Sequence, residues 1–267
     1  MIGAIIGDVV GSRFEFNNTD RKDFEFFTDE CVFTDDTVMT LAVAESIMRC
    51  YEYEGNYDNL SDYADECLHE VGRRYPRCGY GGRFYHWMLG KVWFPYNSFG
   101  NGSAMRISAV GDIADTVNEA KKLSYDLTRI SHNHPEGLKG AEAAAVAKVL
   151  LKLGMTKEFV KNYVEVNYYK LDKSVDQYRK ENMGMHGAEI CQVTMPQAFT
   201  CFFEGKDFED VIRNSVSIGG DSDTIGAIAG GIAEARHEVP EWMQKKVREY
   251  LTDDLLDILD RWEIYAN

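Results

Sequence analysis

The sequence predicts an all-α fold, on three observations. Apolar residues recur at helical spacing: Val38, Leu41, Ala42 and Ala44 run on to Ile47 and Met48, while Ile225, Ile228, Ala229 and Ile232 stand at i, i+3, i+4 and i+7. Strict two-residue alternation, the mark of a half-buried strand, is scarce. Capping residues stand where helices should begin.

In chain order, the first element is MIGAIIGDVVGSRFEF. It is apolar, yet it has no basic leader, carries Asp8 within the run and falls short of the roughly 20 residues a membrane span needs, so it reads as part of the fold. Gly3, Gly7 and Gly11 recur every fourth residue and would form a side-chain-free stripe on a helix, open to close approach by another backbone. The helix carrying Val38 to Met48 follows on VFTDDTVMT. Thr116 to Glu119 spells a capping box, and Thr156 opens a helix running to about Tyr168. Asp172 to Met185 is polar and irregular, and is expected to be a surface excursion bordering a site. Thr224 to Glu234 repeats the small-residue theme with Gly226, Ala227, Gly230 and Gly231, so two smooth helices can pack tightly at the centre, at the propensity cost of several glycines. Plain helix packing accounts for most of these glycines. Pro240 suits the first turn of one more helix.

A chain of 267 residues with 45% hydrophobic content can bury a substantial core, and no long linker, low-complexity tract or repeat divides it; a single domain over 1–267 is expected. Its 29 basic against 44 acidic residues, a net charge of -15, argue against non-specific nucleic-acid binding and against docking on an anionic membrane. A small anionic ligand stays open, since bound cations and backbone N–H groups hold phosphate locally. Cys31, Cys50, Cys67, Cys78, Cys191 and Cys201 show no metal-ligand spacing and read as reduced thiols of a cytoplasmic protein.

Five constellations carry candidate chemistry. Thr34-Asp35-Asp36-Thr37 precedes a helix and, alone, reads first as a cap with acid in the first turn. SIGGDSDTIGAIAGG repeats the arrangement with Asp221, Asp223 and Thr224. If the two helix starts converge, four carboxylates and threonine hydroxyls make a set of hard oxygen donors suited to magnesium, manganese or calcium, and two divalent ions would offset the repulsion. In GNGSAMR, glycines around Asn101 and Ser103 free N–H groups for phosphate oxygens, or form a structural turn. SHNHPEG offers His132 and His134, one expected to hydrogen-bond a substrate and the other to be structural. Glu15, between Phe14 and Phe16, is either a surface acid or a carboxylate whose pKa an aromatic setting raises for proton transfer.

Taken together and in this order, GDVVGSRFE, FTDDT, GNGSAMR, SHNHPEG and GGDSDTIGAIAGGIAEA resemble the ADP-ribosylglycohydrolase family, whose members include the dinitrogenase reductase-activating glycohydrolase, from Gly3 to about Pro240. The resemblance implies a compact orthogonal helical bundle with a central cleft holding two Mg2+, or Mn2+ in some members. It assigns Thr34, Asp35, Asp36, Asp221, Asp223 and Thr224 to the metal site and Glu15 to acid/base catalysis. Gly100, Asn101, Gly102 and Ser103 fall on the diphosphate loop, His132 on the histidine that contacts substrate, and Asp8 on a supporting acidic position. The implied activity is hydrolysis at the anomeric carbon of the distal ribose of an ADP-ribosyl group on a protein or small compound. A metal-dependent phosphohydrolase and a non-catalytic ADP-ribose-binding protein are the alternatives. MGMHGAEICQVTMPQAF keeps only the general shape of the segment bordering the adenosine end, without the tyrosine-bearing version of the protein-arginine hydrolases.

Overall fold

The computed structural model describes residues 1–91, 94–183 and 188–266. Its helices are α1 (Ile2–Gly11), α2 (Asp35–Glu54), α3 (Leu60–Arg74), α4 (Gly82–Leu89) and α5 (Gly102–Met105). Next come α6 (Ser108–Ile113), α7 (Val117–Thr128), α8 (Pro135–Lys152), α9 (Lys157–Asn167) and α10 (Val175–Asn182). The last are α11 (Cys191–Glu204), α12 (Phe208–Ser217), α13 (Ser222–Ala233), α14 (Glu241–Arg248) and α15 (Asp253–Tyr265). Among the described residues there is no strand, only an isolated antiparallel bridge between Gly100 and Ile190. No described helix is long and apolar enough to cross a membrane.

The capping residues do what their chemistry allows. Thr116 accepts the N–H of Glu119, Thr156 that of Phe159, and α9 ends at Asn167 with Tyr168 as its cap. The Glu119 carboxylate turns back to the N–H of Asp115, one residue earlier than a capping box requires. Pro240 sits just before α14, one position outside the helix. Asp172 to Met185 is at the surface as expected, with positions 184 and 185 outside the described residues, but its described part is not irregular. Most of it is α10, closed by a reciprocal capping box between Ser174 and Gln177; only Val175 and Tyr178 of this helix are buried, too few apolar positions to show a period.

The core is centred on α1 and α13, which pack along each other with α2, α8, α11 and α12 around them. Every residue of α13 is buried, as expected of a helix that is apolar on all sides. The glycine stripes explain how two such helices meet. Gly3 faces Gly230, Gly7 faces Gly226 and Gly11 faces Ser222 and Asp223, so the helices run antiparallel with backbone against backbone. A Cβ on Gly226 would lie 2.6 Å from the Gly7 carbonyl oxygen, and one on Gly11 would lie 2.5 Å from the Asp223 Cα. This seam sets the distance between the end of α1 and the start of α13.

Candidate active site

Four segments bring polar groups to that end of the seam. α1 contributes Asp8, and the 3-10 turn Ser12–Phe14 that prolongs it delivers Glu15. The start of α2 contributes Thr34, Asp35 and Asp36; the start of α13 contributes Asp221, Asp223 and Thr224. Thr34 is an extended-backbone N-cap whose hydroxyl accepts the Asp36 N–H at 3.3 Å, so the capping reading of TDDT holds. Asp8, fully buried, accepts the N–H groups of Thr34 at 2.9 Å and Thr37 at 3.0 Å, together with both threonine hydroxyls. It thereby fastens the first turn of α2 to α1.

Asp221 is aimed by its own turn. Gly219 and Gly220 precede it at φ 73° and 74°, a left-handed conformation that side chains avoid, and Asn18 clamps Gly220 through both its N–H and its carbonyl at 3.1 Å. Asn101 donates its side-chain amide to Asp221 and to the Thr194 hydroxyl, the latter at 3.0 Å. Thr224 donates to Asp36 at 3.0 Å, linking the two helix starts directly.

Two carboxylate triads result, Asp8–Asp36–Asp223 and Glu15–Asp221–Asp223, each with one oxygen per residue within 4.8 Å of the others. At 4.8 Å two ionised groups repel by about 3.5 kcal/mol at an effective dielectric of 20. Burial, reinforced by the neighbouring charges, accordingly holds Asp35, Asp36 and Asp223 well above the usual carboxylate range. Asp8 and Asp221 are also raised by burial, against the opposing pull of their hydrogen bonds. Glu15 is pushed up to about 7 by burial and by the charges of Asp221, Glu189 and Asp8. Of its aromatic neighbours Phe14 is buried, whereas Phe16 is 78% exposed.

A divalent cation fits this set. One oxygen of Asp36 is buried without a partner, the donors are hard oxygens, and the two triads share Asp223. Asp35 lines the same cleft but belongs to neither triad.

The walls of the cleft also include Arg83, Phe84, Tyr96, Met105, Arg106 and His132; Asn101 bonds Asp221, Gly100 and Gly102 abut His132, and His132 lies against Phe84 and Tyr96. Two side chains of this loop are already engaged within the fold. The Ser103 side chain is fully buried and bonded to the Gly100 carbonyl and Cys191, away from the cleft, because α5 turns that face toward α11. The Asn101 side chain is spent on Asp221 and its N–H on the Glu189 carbonyl at 3.2 Å. The first N–H groups of α5, those of Gly102 and Ser103, have no intrahelical acceptor. His132 lines the cleft, whereas His134 caps α8 by accepting the Glu136 N–H.

Glu189, Arg83, Phe84, Tyr96 and Arg106 also line the cleft and are not singled out by sequence reasoning. The cluster CGYGGRFYHW was the available signal for Arg83 and Phe84. Glu189 sits next to the Gly100–Ile190 bridge, a pairing of distant segments. Its segment MGMHGAEICQVTMPQAF lies partly outside the described residues, at 184–187.

With this geometry in hand, comparison with known proteins is decisive. The family model described as ADP-ribosylglycohydrolase matches residues 1–266. The chain belongs to the ADP-ribosylglycohydrolase family. It is therefore an enzyme of the glycosyl-bond hydrolases, and its relatives bear names to match. ADP-ribosylhydrolase ARH3 of Homo sapiens is 24% identical, with 96% of this chain and 90% of that protein covered. ADP-ribosylarginine hydrolase Tri1 of Pseudomonas putida is 24% identical over 92% of this chain and 72% of its own length. A solved structure described as an ADP-ribosylglycohydrolase-related protein complex superposes with a TM-score of 0.67 at 20% identity, covering 96% of this chain and 95% of its own; it shares the fold.

Proposed function

We propose that this ADP-ribosylglycohydrolase hydrolyses the bond at the anomeric carbon of the distal ribose of an ADP-ribosyl group and releases ADP-ribose, with two Mg2+ bound and Mn2+ as a substitute. One observation carries the reading: two carboxylate triads that share Asp223, one of them including Glu15, border the cleft that Arg83, Phe84, Tyr96 and Arg106 also line. Asp36, Asp223 and Asp221 would hold the ions, with Asp8 bracing the first triad, Asp35 lining the cleft beside them, Glu15 left for proton transfer, and the hydroxyls of Thr34 and Thr224 spending their protons on carboxylates. Divalent ions in this position supply charge compensation and orient ribose hydroxyls.

The chain's own groups account for the rest. Arg83 and Arg106 lend the cleft a positive field for a diphosphate, and Phe84 and Tyr96 offer apolar faces. Gly102 lines the cleft at the start of α5, so its N–H would meet a phosphate oxygen, with Ser103 supporting that turn from the interior. His132 supplies a ring nitrogen in the same wall. Glu15, in the second triad beside Asp221 and Asp223, would pass protons between water and the leaving atom as an oxocarbenium-like state develops.

The substrate is an ADP-ribosylated protein or a small ADP-ribosyl compound. The test is incubation with arginine-, serine- and base-linked ADP-ribose conjugates plus Mg2+. Free ADP-ribose from at least one of them is expected, and chelator should abolish its release. AMP as the product would mean diphosphate cleavage and overturn the reading, as would turnover that persists in chelator.

A further inference from the structure

Arg106 is the largest fully buried side chain whose charge is unexplained by the acid cage. Among the described residues it makes no ion pair, and its Nε and Nη1 atoms are buried without partners. Its Nη2 donates to the Leu127 carbonyl at 3.4 Å and to the Ser131 hydroxyl at 2.9 Å, and its guanidinium carbon lies 5.6 Å from the centre of the Phe84 ring. Burial pushes it down to about 10, which leaves it a cation at neutral pH.

The Ser131 hydroxyl, itself fully buried, also lies 2.9 Å from Nδ1 of His132. Arginine N–H groups only donate, so the serine oxygen accepts from Arg106 and its own proton must go elsewhere. Among the described residues the acceptor within reach is Nδ1 of His132. A neutral imidazole that accepts at Nδ1 carries its proton on Nε2. That nitrogen stands at the cleft wall, 3.4 Å from the point where a Cβ on Gly102 would lie. Burial and the charges of Arg106 and Arg83 hold the ring well below the usual histidine range, hence uncharged.

We propose that Arg106 and Ser131 are positioning residues that lock His132 as a neutral Nε2–H donor aimed into the cleft, so that this wall selects an acceptor oxygen of the ligand. The identity of that ligand, ADP-ribose, rests on the proposed function; the tautomer does not.

The test reads the imidazole nitrogens by proton–nitrogen correlation NMR in the ligand-free protein, with His132 assigned by the signal lost in His132→Gln. Protonated Nε2 and unprotonated Nδ1 are expected near neutral pH. In Ser131→Ala the ring should become a mixture of tautomers and the Kd for ADP-ribose should rise about five- to tenfold, the equivalent of one hydrogen bond, with Ser131→Thr restoring both readouts. A proton on Nδ1 in the wild type overturns the proposal, as does a Ser131→Ala variant with unchanged ring signals and affinity. Wild-type protein that shows the Nε2–H signature but does not bind ADP-ribose would count against the proposed function alone.

Discussion

Replacing Gly11 by alanine tests whether the α1–α13 seam sets the geometry of the acid site. The new methyl would lie 2.5 Å from the Asp223 Cα, 2.6 Å from the Ser222 carbonyl oxygen and 2.7 Å from the Asp223 N. Carbon atoms rest at about 3.5–4.0 Å, so the backbones must part by about an ångström, and no flexible side chain is available to yield instead. Overpacking of this kind costs typically 1–3 kcal/mol. Gly11 is the last residue of α1, so little helix propensity is gained in return. A loss of about 2 kcal/mol lowers Tm by roughly 4–8 °C in a chain of this size. Because the displaced atoms belong to Asp223, shared by both triads, the Tm increment on adding Mg2+ should shrink as well. Gly230→Ala, about two turns farther along α13 and also pressed on α1, should lower Tm while keeping most of the Mg2+ increment. Gly82→Ala, with open space around it, should leave both unchanged. Scanning calorimetry with chelator and with Mg2+ measures all of these. A Gly11→Ala protein with wild-type Tm and a wild-type Mg2+ increment would refute the reasoning.

Three further outcomes are expected. The acids that burial and mutual repulsion raise keep protons in the folded state that the unfolded chain has released, so ion-free stability falls as pH rises from about 4.5 to 7, the span between an ordinary glutamate and Glu15. Thermal unfolding in chelator should show this fall, and Mg2+ should raise Tm more at the alkaline end, where the ligands are ionised; a flat profile would count against the acid cage. Asp223→Asn removes the residue common to both triads and should abolish Mg2+ binding by calorimetry while raising Tm in chelator; Asp35→Asn, outside both triads, should weaken binding less. Glu15→Gln should retain ADP-ribose binding and lose at least 100-fold in turnover, on the order of a general acid/base contribution; full activity would remove Glu15 from the chemistry.

What was legible in the sequence was local or repeated. TDDT and GGDSDT carry the same side chains before two helices, and the glycine stripes share one period, so both the acid site and the seam could be read without coordinates. Glu15 was found for an incomplete reason: its pKa is raised first by burial and then by the charges of Asp221, Glu189 and Asp8, two of which are distant in sequence, while its neighbour Phe16 is exposed. The direction of the Ser103 side chain, toward Cys191, was not legible, because a motif does not say which face of a four-residue helix its residues occupy. Arg106 stood in a quoted motif, yet its complete burial depends on α4, α7 and the Ser131 turn meeting around it, which no local pattern encodes.

The bond between Thr224 and Asp36 joins positions separated by 188 residues, and Asp8 lies farther still from Asp223. Loop-closure entropy makes contacts of such separation late events in folding. Until α13 docks on α1, the two halves of the acid site are independent stretches of solvated carboxylate with no cage for an ion to enter. Cations held there would act as a final seal: they would slow the departure of α13, leave the rate of collapse unchanged, and confine metal dependence to the unfolding limb of the kinetics.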